Sequence, residues 1–204
     1  MNARQRTHNE NDYLLALWHK SRAGDKAAFC QLADVQYRSL FSYATNFTND
    51  REFIKDSIQD IFIRIWEKRT TISIQFVSVY LFKSLRNELF QAFRQSRQLL
   101  VPLYNQDLSQ LSDWQTVETE IERSEVDLES HNRVRRAIGS LSKRQQEVVF
   151  LKFYKAMEND QIAVLMDINR QSVANLLCKA LCSLKNQMPF LNYLVITIVV
   201  LLKG

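Results

Sequence analysis

Four polar side chains open an apolar-striped segment near the end of the chain: Arg170, Gln171, Ser172 and Asn175. Their shared chemistry is the paired hydrogen bond to a base edge. Arginine fits the two acceptors of guanine, glutamine or asparagine fits adenine, and serine serves either. Lys179 in the same segment, with Lys143 and Arg144 upstream, supplies charges that hold phosphates. A second set, Tyr80, Lys83, Arg86, Asn87 and Arg94, mixes aromatic faces with cations and one amide. Such types hold unstacked bases, since stacking on an aromatic ring contributes about 1–3 kcal/mol per base. A third set, Asp56, Gln59, Asp60 and Arg64, recurs at three- and four-residue spacing and shares one helical face. None of the sets pairs a nucleophile with a base. His8, His19 and His131 are isolated, and no GxxxxGK[ST] loop is present to bind a nucleotide. The expectation is a protein that is not an enzyme and takes no cofactor, metal or small-molecule substrate. It would trap opened strands without driving their opening by hydrolysis.

The elements that must position these residues read as helices. Ser142 and Gln145 form the two ends of a capping box. Val148, Val149, Leu151 and Phe153 follow as apolar positions, and a short helix from Asp160 to Met166 turns Ile162, Ala163 and Leu165 inward. Asp167-Ile168-Asn169 then makes a tight turn. The next helix starts at Arg170 and buries Val173, Leu177, Ala180, Leu181 and Leu184 at helical spacing. This is the layout of a helix-turn-helix, whose second helix lays its N-terminal residues on bases in the major groove. The same stripes suit a plain three-helix bundle. Upstream, Ala28, Phe29, Leu32, Leu40, Phe41, Ala44 and Phe47 form one stripe, and Asn49-Asp50 ends it. Ile54, Ile58, Ile61, Phe62, Ile65 and Trp66 form the next, opposite the polar face that holds Asp56 to Glu67. A further helix is expected from Val77 to Gln95.

Composition agrees. Three glycines and two prolines in 204 residues, with no strand-type alternation, indicate an all-α chain. The formal charge of +5 suits a polyanionic partner. Cys30, Cys178 and Cys182 are odd in number and point to reduced thiols and a cytoplasmic location. Cys178 and Cys182 are one turn apart, yet a zinc site needs four ligands and no others cluster nearby. The two are expected as small side chains in a packed helix. Residues 1–22 read as a polar segment without an apolar signal core, and 23–98 as a first helical domain. Over 99–130 eight acidic residues face only Arg123, which marks a solvated tether that DNA repels. Residues 131–188 form the helix-turn-helix domain. The last stretch, 189–204, is hydrophobic over about a dozen residues, short of the roughly 20 that span a bilayer. It could pack on the preceding domain, dock on a partner or touch a membrane surface. The expected architecture is therefore two small helical domains joined by an acidic linker.

Four segments in order carry a resemblance. Asp56-Ser-Ile-Gln-Asp-Ile-Phe-Ile-Arg-Ile-Trp66 resembles the polymerase-binding helix of bacterial sigma factors. Gly24-Asp-Lys-Ala-Ala-Phe29 is similar to the entry of that family's first conserved helix. Tyr80-Leu-Phe-Lys-Ser-Leu-Arg-Asn87 resembles the segment that handles the melted promoter, and Ser142–Lys185 the domain that reads the upstream element. The order matches the two-domain, extracytoplasmic-function group of the sigma-70 superfamily, and the run Gln171–Leu176 looks like members from Bacteroidetes-type bacteria. The resemblance implies partners: core RNA polymerase through Asp56, Gln59, Asp60 and Arg64, and promoter DNA. Tyr80, Lys83, Arg86, Asn87 and Arg94 would serve the downstream element, with Asn87 its reader. Lys143, Arg144, Arg170, Gln171, Ser172, Asn175 and Lys179 would serve the upstream one. Many relatives also have a membrane-anchored anti-sigma partner. Four positions depart from the family pattern: Asp167 replaces a turn glycine, Glu158 a Ser or Thr cap, and Ala174 and Leu176 replace basic residues. The alternative from residues alone is a helix-turn-helix regulator that binds DNA without joining polymerase. It would not need the Asp56–Trp66 or Tyr80–Asn87 segments.

Overall fold

The computed structural model describes residues 3–99, 134 and 136–187. The acidic stretch, apart from Leu99, and the hydrophobic tail lie outside the described residues. The chain divides into two compact units, Met1–Asp113 and Trp114–Gly204. Among the described residues there is no strand.

The first unit is built from α1 (Ala3–Arg22), α2 (Lys26–Ala44), α3 (Arg51–Glu67) and α4 (Val77–Leu99). The starts of α2 and α3 follow from side-chain capping. The Asp25 carboxylate accepts from the Ala28 N–H at 3.0 Å, and that of Asp50 from the Phe53 N–H at 3.0 Å. Each thereby satisfies a backbone donor that the first turn leaves orphaned. Gly24, at φ +101°, makes the reversal between α1 and α2, a conformation an L side chain rarely adopts. α2 packs against all three other helices. Its Leu32, Leu40 and Tyr43 are buried with Ile54, Ile58 and Ile61 of α3 and Leu81, Phe82, Leu85 and Leu89 of α4. The Tyr43 ring meets Phe82 at 5.0 Å and Phe47 at 5.1 Å, both edge-on, the arrangement aromatic quadrupoles favour.

The polar segment expected at 1–22 is instead part of this core. From residue 3 it is helical, and Leu14, Leu17 and Trp18 are buried. Their spacing of three and one is a helical stripe, diluted by the polar residues before it. α1 packs on both α2 and α4. Asn11 fixes its far end: the side-chain amide donates to the Gln75 carbonyl at 3.2 Å and its oxygen accepts from the Val77 N–H at 3.3 Å.

The second unit contains helical backbone at 136–139, then α5 (Lys143–Val149), a π-helical turn (Phe150–Tyr154), α6 (Asn159–Met166) and α7 (Arg170–Gln187). The expected capping box forms. The Ser142 hydroxyl accepts from the Gln145 N–H at 3.4 Å, and the Gln145 side chain accepts from the Ser142 N–H at 2.9 Å. Buried Gln146 stitches this start to the preceding turn, donating to the carbonyls of Gly139 and Leu141 at 3.1 and 2.9 Å. Phe153, expected inward, is 46% exposed. The π turn explains it, since the Lys155 N–H reaches the Phe150 carbonyl five residues back. The widened turn slips the helical register, so Phe150 and Leu151 are the buried pair.

α6 begins at Glu158, where the Gln161 side chain accepts from the Glu158 N–H at 2.9 Å. Two non-glycine residues have positive φ around α6, Ala156 at 50° in the loop before it and Asp167 at 55° as its C-cap. Asp167 holds the turn before α7, and aspartate tolerates this region better than most residues. Asn169 caps α7 by accepting from the Ser172 N–H at 2.7 Å. The stripe Val173, Leu177, Ala180 and Leu181 is buried as its spacing requires, and Leu184 is half-buried.

Because α1 closes the first core, Leu14→Ala should destabilise that unit by about 2–5 kcal/mol, the range for emptying a buried leucine site. Chemical denaturation measures it. A stability equal to the parent's would show α1 to be dispensable.

Candidate nucleic-acid and partner interfaces

The inward stripe of α3 fixes where its polar residues stand. With Ile54, Ile58, Ile61, Phe62 and Ile65 buried, Asp56, Gln59, Asp60, Arg64 and Glu67 are exposed. That exposed arc has two rims. Gln59 lies on a groove of about 780 Å³ between α2 and α3, whose lining includes Phe29, Cys30, Tyr37, Ile63 and Trp66. Trp66, expected in the core, is only half-buried. Its ring packs on Phe29 at 5.1 Å and carries the Arg69 guanidinium at 4.1 Å. Arg64 stands on the other rim, where it donates to the Glu88 carboxylate of α4 at 2.6 Å.

On α4, Tyr80, Lys83, Asn87 and Arg94 fall on one stripe through their spacing of three, four and seven. Asn87 and Arg94 are exposed, and Tyr80 and Lys83 are half-buried. Arg86 is turned about 100° from Asn87, as a neighbouring helical residue must be. Its guanidinium lies 4.5 Å over the Phe90 ring, which itself packs on Phe47. Phe82, with its place in the core, is not available to a base. A polar cleft of about 230 Å³ runs between α3 and α4, lined by Arg64, Lys68, Tyr80, Ser84, Asn87 and Glu88 among others.

On α7, Arg170, Gln171, Asn175 and Lys179 are exposed and Ser172 is half-buried. Gln171 donates to the Asn175 side-chain oxygen at 3.2 Å, so the two amides stand side by side along the helix. Arg170 reaches back to Asp160 of α6 at 3.4 Å. Both partners are largely exposed, and such a pair contributes little to stability. It can exchange Asp160 for a phosphate at small cost.

Comparison with known proteins finds a family match in each unit. The family model for "Sigma-70 region 2" matches residues 33–98, and that for "Sigma-70, region 4" matches residues 131–184. Together they cover more than half of the chain. The chain belongs to the sigma-70 family. Two solved structures share its fold at 19% identity. "Structure of CnrH in complex with the cytosolic domain of CnrY" aligns with a TM-score of 0.57, over 85% of this chain and 96% of that one. The sigma factor RpoE of Bartonella quintana, in complex with the anti-sigma factor NepR, aligns with a TM-score of 0.55, over 79% and 96%. No curated protein sequence matches the chain.

The partners of a sigma-70 protein are core RNA polymerase and promoter DNA. The structure refines the residue sets. Sequence reasoning missed Lys68, Ser84 and Glu88 in the α3–α4 cleft. Glu88 had a signal, since it is the one acidic residue in α4. Cys178 and Cys182 are exposed rather than packed. They share the outward stripe of Gln171 and Asn175, at spacings of three and four. Among the described residues no His, Cys, Asp and Glu cluster could hold a metal.

Lys143 differs from the phosphate contact expected of it. Its Nζ is shielded from solvent and has no hydrogen-bond partner, while Arg144 beside it is exposed. Burial pushes the Lys143 pKa below its ordinary 10.5. The folded state thus binds this proton less readily than the unfolded chain. The resulting penalty is full at neutral pH and is relieved as pH rises toward 10.5. Lys143→Met should therefore raise the thermal midpoint at pH 7, with a gain that shrinks at alkaline pH, and leave DNA affinity within about twofold. Arg144→Ala should instead weaken DNA binding across sequences and lessen its salt slope by about one. Loss of DNA affinity in the Lys143 variant would restore it to the phosphate set.

Proposed function

We propose that Asp56, Gln59 and Asp60 form the polymerase-facing surface of this sigma factor, that the α4 stripe around Asn87 handles the downstream promoter element, and that Arg170, Gln171, Ser172 and Asn175 read the upstream one. The observation that carries this reading is the co-occurrence of region 2 and region 4 in one chain. A regulator that binds DNA alone needs only the second. The geometry supports it further. An acidic and amide crest on α3 suits a basic, hydrogen-bonding helical partner. The α4 stripe combines a ring, an amide and two cations, the mixture that holds opened strands.

The group is that of extracytoplasmic-function sigma factors, working in the cytoplasm and released in response to an extracytoplasmic or stress signal. Two structurally similar proteins were solved with a bound partner: CnrH with the CnrY cytosolic domain, and the sigma factor RpoE with the anti-sigma factor NepR. An anti-sigma protein is accordingly the proposed off-switch here. No helix among the described residues is long and apolar enough to cross a membrane.

Transcription initiation with core polymerase on a promoter library tests the function: the chain should start transcripts that core alone does not. Asp60→Lys should lower affinity for core polymerase by about tenfold or more, since it places a like charge at a basic partner, with the thermal midpoint unchanged. Unaltered co-purification would remove Asp60 from the interface. Asn87→Ala should leave polymerase binding intact and reduce transcription from a selected promoter by about fivefold or more, in line with one lost base contact. Equal transcript yields would take the reading role away from Asn87.

A further inference from the structure

We infer that Arg64 is a positioning residue of the promoter cleft rather than a contact to polymerase. The inference rests on the sigma-factor reading and reassigns one residue within it. Three observations carry it. First, Arg64 and Gln59 are five residues apart on α3, which separates them by about 140° of arc. Gln59 faces the α2–α3 groove and Arg64 lines the α3–α4 cleft. Second, Arg64 is already engaged, with its Nη2 2.6 Å from the Glu88 carboxylate across that cleft. Third, Glu88 is the single carboxylate on a helix that carries Lys83, Arg86, Arg94 and Arg97. It sits beside Asn87, and both line the same cleft.

A bare carboxylate there would repel the phosphates of a strand laid along α4. Paired with Arg64, it presents no net charge. The pair also ties α3 to α4 at the level of Asn87, because Glu88 is the next residue. Its exposure is unequal, 48% for the Arg64 side chain and 28% for that of Glu88. Glu88 is thus the partner that would be left poorly solvated if the arginine were removed. Arg64 acts through Glu88: it cancels a charge and holds a register, and it need touch neither base nor polymerase.

The test uses the full chain assembled with core polymerase. Arg64→Gln should bind core polymerase within about twofold of the parent and lower transcript yield from a selected promoter by about fivefold, the scale of one lost charge pair. The loss should shrink as salt is raised, because it arises from an uncancelled charge. The double variant Arg64→Gln with Glu88→Gln should recover most of the yield, since the stranded carboxylate is gone. The thermal midpoint separates this from a merely structural role, which would lower it in Arg64→Gln and restore it in the double variant; here the yield changes while the midpoint does not. Two results would overturn the inference: a loss of polymerase affinity in Arg64→Gln, or a yield that Glu88→Gln fails to restore. A parent chain that starts no transcripts at all would overturn the sigma-factor reading itself, and this inference with it.

Discussion

The rotational setting of α3 is the constraint on which the first unit depends. Five apolar side chains, Ile54, Ile58, Ile61, Phe62 and Ile65, are buried along one side of this helix. Each contributes roughly 1.5–3 kcal/mol on leaving water. A rotation of α3 by one residue would take several of them out of the core at once. The helix therefore cannot turn, and every outward side chain has a fixed bearing. Gln59 is held toward α2, Asp56 and Asp60 along the crest, and Arg64 toward α4. The partition of polar residues on this helix is a consequence of packing. The same isoleucines that stabilise the bundle decide which polar side chains line the α2–α3 groove and which the α3–α4 cleft.

The second unit solves a different problem with less material. Its reading helix carries few cations on the exposed side, and its polar residues lean on each other: Gln171 on Asn175, and Arg170 on Asp160. Such a surface is selective through hydrogen bonds without being strongly attractive through charge. Modest affinity is sufficient in a two-point reader. Once polymerase holds the first unit on the DNA, the second binds at an effective concentration set by its tether. An acidic tether would further keep the intervening chain off the duplex.

Much of this was legible in the sequence, and the reasons differ by element. The capping box at Ser142 and the stripes of α3 and α7 are local, periodic signals, and they appear where expected. The α4 stripe was likewise readable from spacing. α1 was not. Its Leu14, Leu17 and Trp18 follow a dozen polar residues, and only tertiary contact with α2 and α4 makes that short stripe count. Phe153 was misplaced because a π turn interrupts the helix before it, and no residue type announces such a turn. Lys143 was taken for a phosphate contact on charge alone, although burial depends on what folds over the ammonium. Spacing puts Arg64 on the face of Asp60, and spacing cannot register that α4 supplies a carboxylate across the gap. The family comparison covers region 2 and region 4 as wholes and leaves the roles of single side chains to geometry.

Ala156 and Asp167 bracket α6, and neither is a glycine. Each holds a left-handed backbone that costs an ordinary residue roughly 1–2 kcal/mol. Such residues have far fewer alternative conformations than glycine, so they do not serve as swivels. The two helices of the motif are consequently joined as a stiff bracket, with the Asn169 cap locking the second one in place. A bracket of this kind presents the exposed side chains of α7 at one fixed pitch. Any tolerance for promoters whose two elements lie closer together or further apart must then come from the chain between the two units, or from bending of the DNA itself.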